Sequence, residues 1–596
     1  MDTFAVNYFV PLKVLNGAVL YRALYNNIGI LQPYVLAYLF KYLGATTYAV
    51  ILLGAVITLS VCFMLYKLSR FFLNRALSAL IAINFLFILA FNHTTSMGIL
   101  NFIIPYSSNS TLYFAFVLAA ALSFVSYLYS GKTKYLVLWA VAMWAAFMCR
   151  IEMAGTVWCA FVLIGGGLMY KKRLFARGIL YLTLPVVLSA LSYTAYLYFN
   201  NAFIGFKSDV VDFTMASLRQ ERTFTNKFAG LDQPLNSIVS ILKSTVLQIL
   251  ALCALIAASK TVSYCKAGNK AVRALPYIAA ALAAIFSGYL LNRYNAYSQY
   301  KILNLIFVGG ITGYTYKFIH ADAYRKDYLM LLTLFLVSFV LTLRILLNYV
   351  PSSYGFYLLP MGLICYYVFF IKTFPSICEE IFNIRNIGLR CYYIAVIILI
   401  AQTSLPFYSI SRSCYQMKTL RVDTNLGPFY FYNNGRTMKA VLLYQYLRAA
   451  TPARSTLAVF PEGAGINLLA ERDNPLKYYS FVPPELKTIG EGNLIRILKE
   501  KKLDYIAVTN DPKEIFGYKD FRAYAGDLYA WIVENYTLDM VIATPAGNHK
   551  APFVLEKPSY PASTVWQIDE AMLTRYNPAE FTVLIFRHKE MAGTRQ

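Results

Sequence analysis

The residues whose types could do chemistry are a set of ionisable side chains bordering apolar runs: Asp2, Arg22, Arg150, Glu152, Asp209, Asp212, Arg219, Arg222, Arg293 and Lys301. Charge close to hydrocarbon is costly, so such groups call for a functional hypothesis. Arg and Lys from separate segments can converge on one phosphate, Arg through parallel N–H groups. Asp2 heads a short apolar stretch, where a carboxylate can be held close to a headgroup boundary. A carboxylate that takes a proton from an acceptor hydroxyl, with cations that stabilise a departing phosphate, suits sugar transfer from a lipid-phosphate donor. Arg22, Arg150, Arg293 and Lys301 are the candidate phosphate contacts. Taken singly, each of these charges except Asp2 also fits an ordinary helix-end charge.

Other chemistries lack their signatures. The chain has no GxxxxGK[ST], HExxH or GxSxG motif. Glu462-Gly463-Ala464-Gly465 is Gly-rich after a strand-like run but completes no dinucleotide fingerprint, and reads as a plain turn. Four His (His93, His320, His549, His588) are too few for a multi-His metal centre. Nine Cys are scattered without a CxxC, so no structural zinc site is expected, and no motif supports a divalent metal or another cofactor. None follows Cys414, so the tail holds no internal disulfide. Asn92-His93-Thr94, Asn109-Ser110-Thr111 and Asn535-Tyr536-Thr537 match glycosylation acceptors, a match common by chance.

What must position these groups is a membrane. The chain has 596 residues, 58% hydrophobic and only 14% charged, against about 25% charged in soluble domains. The net charge of +25 does not point to nucleic acid, because the basic residues sit in short gaps between apolar segments. Twelve apolar runs can be marked, near 46–66, 76–92, 109–129, 134–149, 153–170, 179–199, 239–259, 274–291, 302–318, 328–347, 354–371 and 391–410. Basic clusters occupy every second gap, among them Lys67/Arg70/Arg75, Lys171/Lys172/Arg173/Arg177 and Lys260/Lys266/Lys270/Arg273. The positive-inside rule makes these gaps cytoplasmic. Residues 1–45, the loop 201–238 and the tail after 410 are then expected outside, in a multi-pass protein of the inner (plasma) membrane. The fifty Tyr and 42 Phe suit membrane interfaces first and sugar faces second.

If residues 1–45 lie outside, something must carry them across, yet Asp2 follows Met1 without a charged n-region or apolar h-region. A first transmembrane helix upstream is the expectation, giving thirteen spans. Segments 4–20 and 31–43 are too short to cross about 30 Å of hydrocarbon and read as interfacial helices. Runs 134–149 and 153–170 form a hairpin with Arg150 and Glu152 at its outer turn. From about 411 the pattern turns to β-type runs (Thr456–Phe460, Tyr505–Val508, Thr582–Phe586) separated by amphipathic segments 436–449 and 491–501. That is a small α/β domain. The expected division is a first loop over 1–45, a transmembrane helical core over 46–410 and an extracytoplasmic α/β domain over 411–596.

Several stretches carry a resemblance. Asp2, the turn Asn16-Gly17-Ala18-Val19-Leu20-Tyr21-Arg22 and the stretch Asn27-Ile28-Gly29-Ile30-Leu31 look like one family's first exported loop. Phe102-Ile103-Ile104-Pro105-Tyr106-Ser107 looks like its second. Cys149-Arg150-Ile151-Glu152 resembles a K-x-E after a span, and Asn292-Arg293…Ser298-Gln299-Tyr300 a loop reading R…HY. On these the chain, over about 1–310, resembles the GT-C superfamily of polyprenyl-phosphate-sugar-dependent membrane glycosyltransferases. The protein O-mannosyltransferase-like and aminoarabinose-transferase-like branches are nearest in style. The resemblance implies a GT-C-like bundle of about 12 transmembrane helices and an inverting transfer from a polyprenyl-phosphate sugar donor. The acceptor would be an extracytoplasmic lipid, glycan or protein.

Asp2 falls on the family's catalytic acid. Two positions depart from the pattern. Ala23 stands where many relatives have Asp, leaving Glu152, Asp209 or Asp212 as second-acid candidates. The segment 93–108 has no Asp or Glu, so the acidic metal-binding pair of some relatives is missing. Two other classes fit twelve spans. A secondary transporter would show repeated halves and mid-membrane charge, neither of which is seen. A polysaccharide polymerase or ligase would carry a large exported loop between spans instead of a C-terminal domain.

Overall fold

Each of the twelve apolar runs forms helix, since long stretches of Leu, Ile, Val, Ala and Phe with few charges satisfy their backbone groups internally. The computed structural model describes residues 4–93, 101–170, 176–220, 222–263, 270–295, 298–320, 325–350, 353, 355–382, 389–510, 516–518, 520–543, 554–556 and 582–592. Among the described residues, nine helices are long and apolar enough to cross a membrane, from Thr47–Ser69 to Tyr392–Gln416. Four shorter apolar helices accompany them: Ala5–Leu15, Arg75–Ala90, Lys134–Cys149 and Tyr277–Leu291. The chain is thus a mainly helical, multi-pass membrane protein. Among the described residues the apolar helices comprise nine of spanning length and four shorter ones, against the twelve spans expected.

Contacts divide the chain into two units: Leu52–Leu191 with Thr225–Tyr415, and Met1–Ile51 with Ser192–Phe224 and Gln416–Gln596. The first is all helix. Its ends are set by local chemistry: Asn74 accepts a hydrogen bond from the Leu77 amide at 3.0 Å to cap helix Arg75–Phe85. Gly131, at φ 71°, ends helix Ser108–Ser130 in the left-handed conformation. Fully buried Phe124, Trp139 and Phe161 hold three helices together, Trp139 packing edge-on to Phe161 at 5.4 Å between centroids. Gly54 lets the 101–104 segment lie against its helix, since a Cβ there would stand 2.0 Å from the Ile103 carbonyl oxygen.

The other unit assembles three stretches far apart in sequence. The segments expected as interfacial helices are helical, over Ala5–Leu15 and Leu31–Leu43, the second ending at Gly44 (φ 76°). Tyr34, Tyr38 and Tyr42 of the second helix stay exposed. The C-terminal part opens with a hairpin of β1 (Leu420–Thr424) and β2 (Gly427–Phe431). A five-stranded sheet follows, built from β3 (Leu457–Phe460), β4 (Tyr505–Asn510), β5 (Tyr536–Ala543), β6 (Val554–Glu556) and β7 (Thr582–His588). Its order is β3-β4-β7-β5-β6; only β3 and β4 run parallel.

The three expected strand runs are β3, β4 and β7, and the expected amphipathic segments are helices Gly435–Ala450 and Glu491–Lys501. Phe460, Phe481, Leu494, Leu528, Ile532 and Phe586 form the buried core of this sheet. Burial of such a side chain stabilises by about 1.5–3 kcal/mol. The stretch Glu462–Gly465 is not wholly a turn. Gly463 caps helix Ala464–Ala470, and a Cβ on it would strike the Val459 side chain at 2.1 Å.

Candidate functional site

In the helical unit the polar chemistry gathers where helix Lys134–Cys149 gives way to helix Ile151–Tyr170. Arg150 is the single extended residue between them (φ −149°, ψ 102°). Its amide closes the first helix on the Ala146 carbonyl at 2.9 Å, and its carbonyl starts the next by accepting from Ala154 at 3.0 Å. This joint turns the side chain inward: it is only 14% exposed, while Glu152 is 56% exposed. Nη1 stands 3.5 Å from Glu152 Oε1 and 3.8 Å from Met153 Sδ. Nε is buried with no partner among the described residues.

Helix Ser108–Ser130 brings further polar groups to the same joint. It opens with the buried run Ser108, Asn109, Ser110 and Thr111, and no side chain caps it. Asn109 donates from Nδ2 to the Cys149 carbonyl at 2.8 Å, tying this helix to the residue before Arg150. Its Oδ1, the Tyr113 hydroxyl and Ser107 Oγ are buried without partners among the described residues. Tyr113 and Tyr357 are close enough to Arg150 to interact with it electrostatically, and the Tyr357 hydroxyl meets Met153 Sδ at 4.0 Å. Buried polar atoms almost always find a partner. Three orphans beside a guanidinium with its own unpaired Nε mark a place built to meet a polar molecule, and the charge and the hydroxyls suit an anion.

Lys301 belongs to the same unit, in the one-turn helix Ser298–Ile302. Its Nζ donates to Ser240 Oγ at 2.6 Å. Gln299 donates from Nε2 to the Thr403 carbonyl at 2.8 Å, and its own carbonyl accepts from Gln248 Nε2 at 2.9 Å. Tyr300 packs against Phe356 at 6.3 Å, next to Tyr357 of the Arg150 cluster. The Lys301 ammonium itself is held at Ser240 and makes no direct hydrogen bond with Arg150. The side chain of Arg293 lies outside the described residues, as do those of Arg219 and Arg222.

The other unit holds the remaining candidates. Asp209, with a fully buried side chain, pairs its Oδ1 with Lys477 Nζ at 2.8 Å, and its Oδ2 accepts from the Asn26 amide at 3.3 Å. Burial pushes the Asp209 carboxyl up to about 6, against the opposing pull of Lys477 and the Asn26 amide. Lys477 in turn accepts at its carbonyl from the Tyr25 amide at 2.9 Å. One carboxylate thus ties together the first loop, the 201–213 segment and the C-terminal domain. Asp212 sits one turn on and is exposed. Arg22 is exposed too, its Nη1 reaching the Asn200 carbonyl at 3.4 Å. Asp2 lies outside the described residues.

Of the candidates named from sequence, the structure brings Arg150 and Glu152 into contact and holds Lys301 at Ser240. It places Asp209 in a buried pair. Asn109, Tyr113 and Tyr357 were not anticipated. Their one signal is the run Ser107-Ser108-Asn109-Ser110-Thr111 at the head of an apolar segment, which matches a glycosylation acceptor. Asn109 is fully buried and so cannot carry a glycan. Among the described residues no three His, Cys, Asp or Glu cluster as metal ligands.

No family model matches the chain, and no curated protein matches it. Among solved structures it is similar to the archaeal oligosaccharyltransferase AglB from Archaeoglobus fulgidus, in complex with an inhibitory peptide and a dolichol-phosphate. That likeness has a TM-score of 0.43 and 11% identity, over 94% of this chain and 71% of that one. It is also similar to ArnT from Cupriavidus metallidurans bound to undecaprenyl phosphate. There the TM-score is 0.39 and the identity 10%, over 93% of each chain. Likenesses at this level assign no reaction, and the function is argued from the chain's own residues.

Proposed function

We propose that this chain is an integral-membrane inverting glycosyltransferase that moves a sugar from a polyprenyl-phosphate donor to an extracytoplasmic acceptor. The observation that carries the reading is the Arg150 cluster, whose partnerless Nε, Tyr113 hydroxyl and Asn109 amide oxygen suit a ligand that both charges and hydrogen-bonds. The resemblance of 1–310 to the GT-C superfamily adds the donor class and the role of Asp2. Alternation of basic gaps supports an inner (plasma) membrane location with the C-terminal domain outside. On that face nucleotide sugars are scarce and lipid-linked sugars are the available donors.

In the proposed step Asp2 accepts the proton of an acceptor hydroxyl while that oxygen bonds to the anomeric carbon from the face opposite the phosphate. The bond from anomeric carbon to phosphate oxygen breaks, and its electron pair leaves with the polyprenyl phosphate. The phosphate gains a negative charge in this step. Arg150, Arg293 and Lys301, with Arg22, are the proposed groups that stabilise it, an electrostatic contribution larger in a dry site than in water. Glu152, beside Arg150, is the second acid we favour, since Asp209 is already engaged by Lys477. The acceptor is a lipid, glycan or protein.

The test is transfer of radiolabelled sugar from polyprenyl-phosphate donors by the purified full chain, with Asp2→Asn beside it. General-base removal is expected to lower turnover about 10²–10⁴-fold while donor binding persists. Turnover unchanged in Asp2→Asn would keep the reaction but remove the base.

A further inference from the structure

We infer that the unit built from the first loop, the 192–224 segment and the C-terminal domain contains a binding site for a neutral carbohydrate. The site is a cavity of about 620 Å³ between the helical segment Ala5–Leu15 and helix Ala464–Ala470. That volume lies within the roughly 300–1,000 Å³ typical of small-ligand sites and accommodates a short oligosaccharide. It uses none of the residues assigned to the transfer step, so it stands or falls separately.

The lining decides the ligand class. Every charge on it is already answered within the protein. Lys13 Nζ pairs with Asp473 Oδ1 at 2.5 Å and also donates to the Asn474 carbonyl at 3.3 Å. Glu471 pairs with Arg448 at 3.3 Å. The buried Arg472 spends Nε, Nη1 and Nη2 on the Thr451 hydroxyl and on the carbonyls of Leu447, Arg448, Thr451, Ala470 and Glu471. No cation is left over to attract an anion, and the one carboxylate oxygen still open, the second of Asp473, belongs to a group already neutralised by Lys13.

What remains is neutral hydrogen bonding over an apolar floor. Asn16 makes no side-chain hydrogen bond to any described residue and is exposed. Asn425 spends one amide hydrogen on a long contact with the Leu468 carbonyl at 3.4 Å, leaving its carbonyl oxygen as an acceptor. Buried Asn467 gives its amide hydrogens to the carbonyls of Leu457 and Arg472, which fixes its orientation and leaves its oxygen to accept. The second oxygen of Asp473 is a further acceptor. Leu12, with the edges of the largely buried Phe9 and Leu468, lines the same space and offers apolar C–H surface. Amide and carboxylate groups that accept from and donate to neighbouring hydroxyls, beside apolar surface that meets C–H groups, are chemistry that recognises a sugar.

The experiment titrates the full chain in lipid nanodiscs with fluorophore-labelled neutral di- and trisaccharides, and with the same sugars carrying a sulfate. Saturable binding of neutral sugars is expected, no tighter for the sulfated ones. Asn16→Leu with Asn425→Leu, both surface positions, should weaken it about tenfold with the thermal midpoint unchanged. Ala18→Trp, which fills the space, should abolish it. Sulfated sugars binding alone, no saturable binding by the wild type, or equal binding by Ala18→Trp would each overturn the proposal.

Discussion

Asp209 Oδ1 lies 2.8 Å from Lys477 Nζ across 268 positions of sequence, with the carboxylate fully buried and the lysine side chain 22% exposed. Removing the two partners should therefore not be equivalent. Lys477→Met leaves a buried carboxylate uncompensated, a loss of about 3–5 kcal/mol. Asp209→Asn leaves an ammonium that reaches water, so its effect should be smaller. Thermal midpoints of the detergent-solubilised variants check the order; equal midpoints would contradict it.

The same carboxyl predicts a pH dependence. Its folded-state value, about 6, lies above its ordinary 3.8. A group raised on folding contributes stability below its unfolded value, and that contribution is lost as pH rises through the folded one. Wild type should therefore lose stability relative to Asp209→Asn between about pH 4 and pH 6, by at most about 3 kcal/mol. A gap between the two midpoints that does not vary across this window would show that Asp209 does not titrate as its burial requires.

Gly205 sits against the left-handed turn at Tyr21 (φ 69°), whose hydroxyl donates to the Ile28 carbonyl at 2.9 Å. A Cβ at Gly205 would stand 1.8 Å from the Tyr21 carbonyl oxygen. Gly205→Ala must move backbone, not a flexible side chain, and should cost about 1–3 kcal/mol. Protease sensitivity of the 192–224 segment would report the loosening, and an unchanged cleavage pattern would argue against the contact.

The helices and three of the C-terminal strands, β3, β4 and β7, were legible because each is a local pattern. A long run of apolar residues must bury its backbone polarity in helix, and a short continuous apolar run such as Thr456–Phe460 or Tyr505–Val508 suits a strand buried on both faces. The strand Tyr536–Ala543 was missed: it carries Tyr, Thr, Asp and Met across a bulge between Leu538 and Met540, which blurs the alternation. Arg150 and Glu152 could be named from sequence because they interrupt two apolar runs. Asn109, Tyr113 and the Asp209–Lys477 pair could not, since each depends on which distant segments fold together.

At the Arg150 joint, Arg150→Ala removes a charge-assisted donor, worth about 1.5–3 kcal/mol. Inhibition by free polyprenyl phosphate should weaken about 10–150-fold. Arg150→Lys should recover little, because one ammonium does not reproduce the guanidinium fork. Full rescue by lysine would reduce Arg150 to a diffuse charge.

Tyr113→Phe removes a buried hydroxyl with no partner among the described residues. Its loss should leave the thermal midpoint unchanged or raised while weakening polyprenyl-phosphate inhibition about 3–10-fold. A lowered midpoint with unchanged inhibition would make the hydroxyl structural.

The most direct measurement is whether purified full-length protein, in liposomes with a membrane extract as acceptor source, moves radiolabel from a polyprenyl-phosphate sugar to a new product. The account predicts transfer that Arg150→Ala reduces sharply and excess polyprenyl phosphate inhibits. Folded protein that transfers no label from any of several lipid-linked sugars would contradict it and favour a transporter.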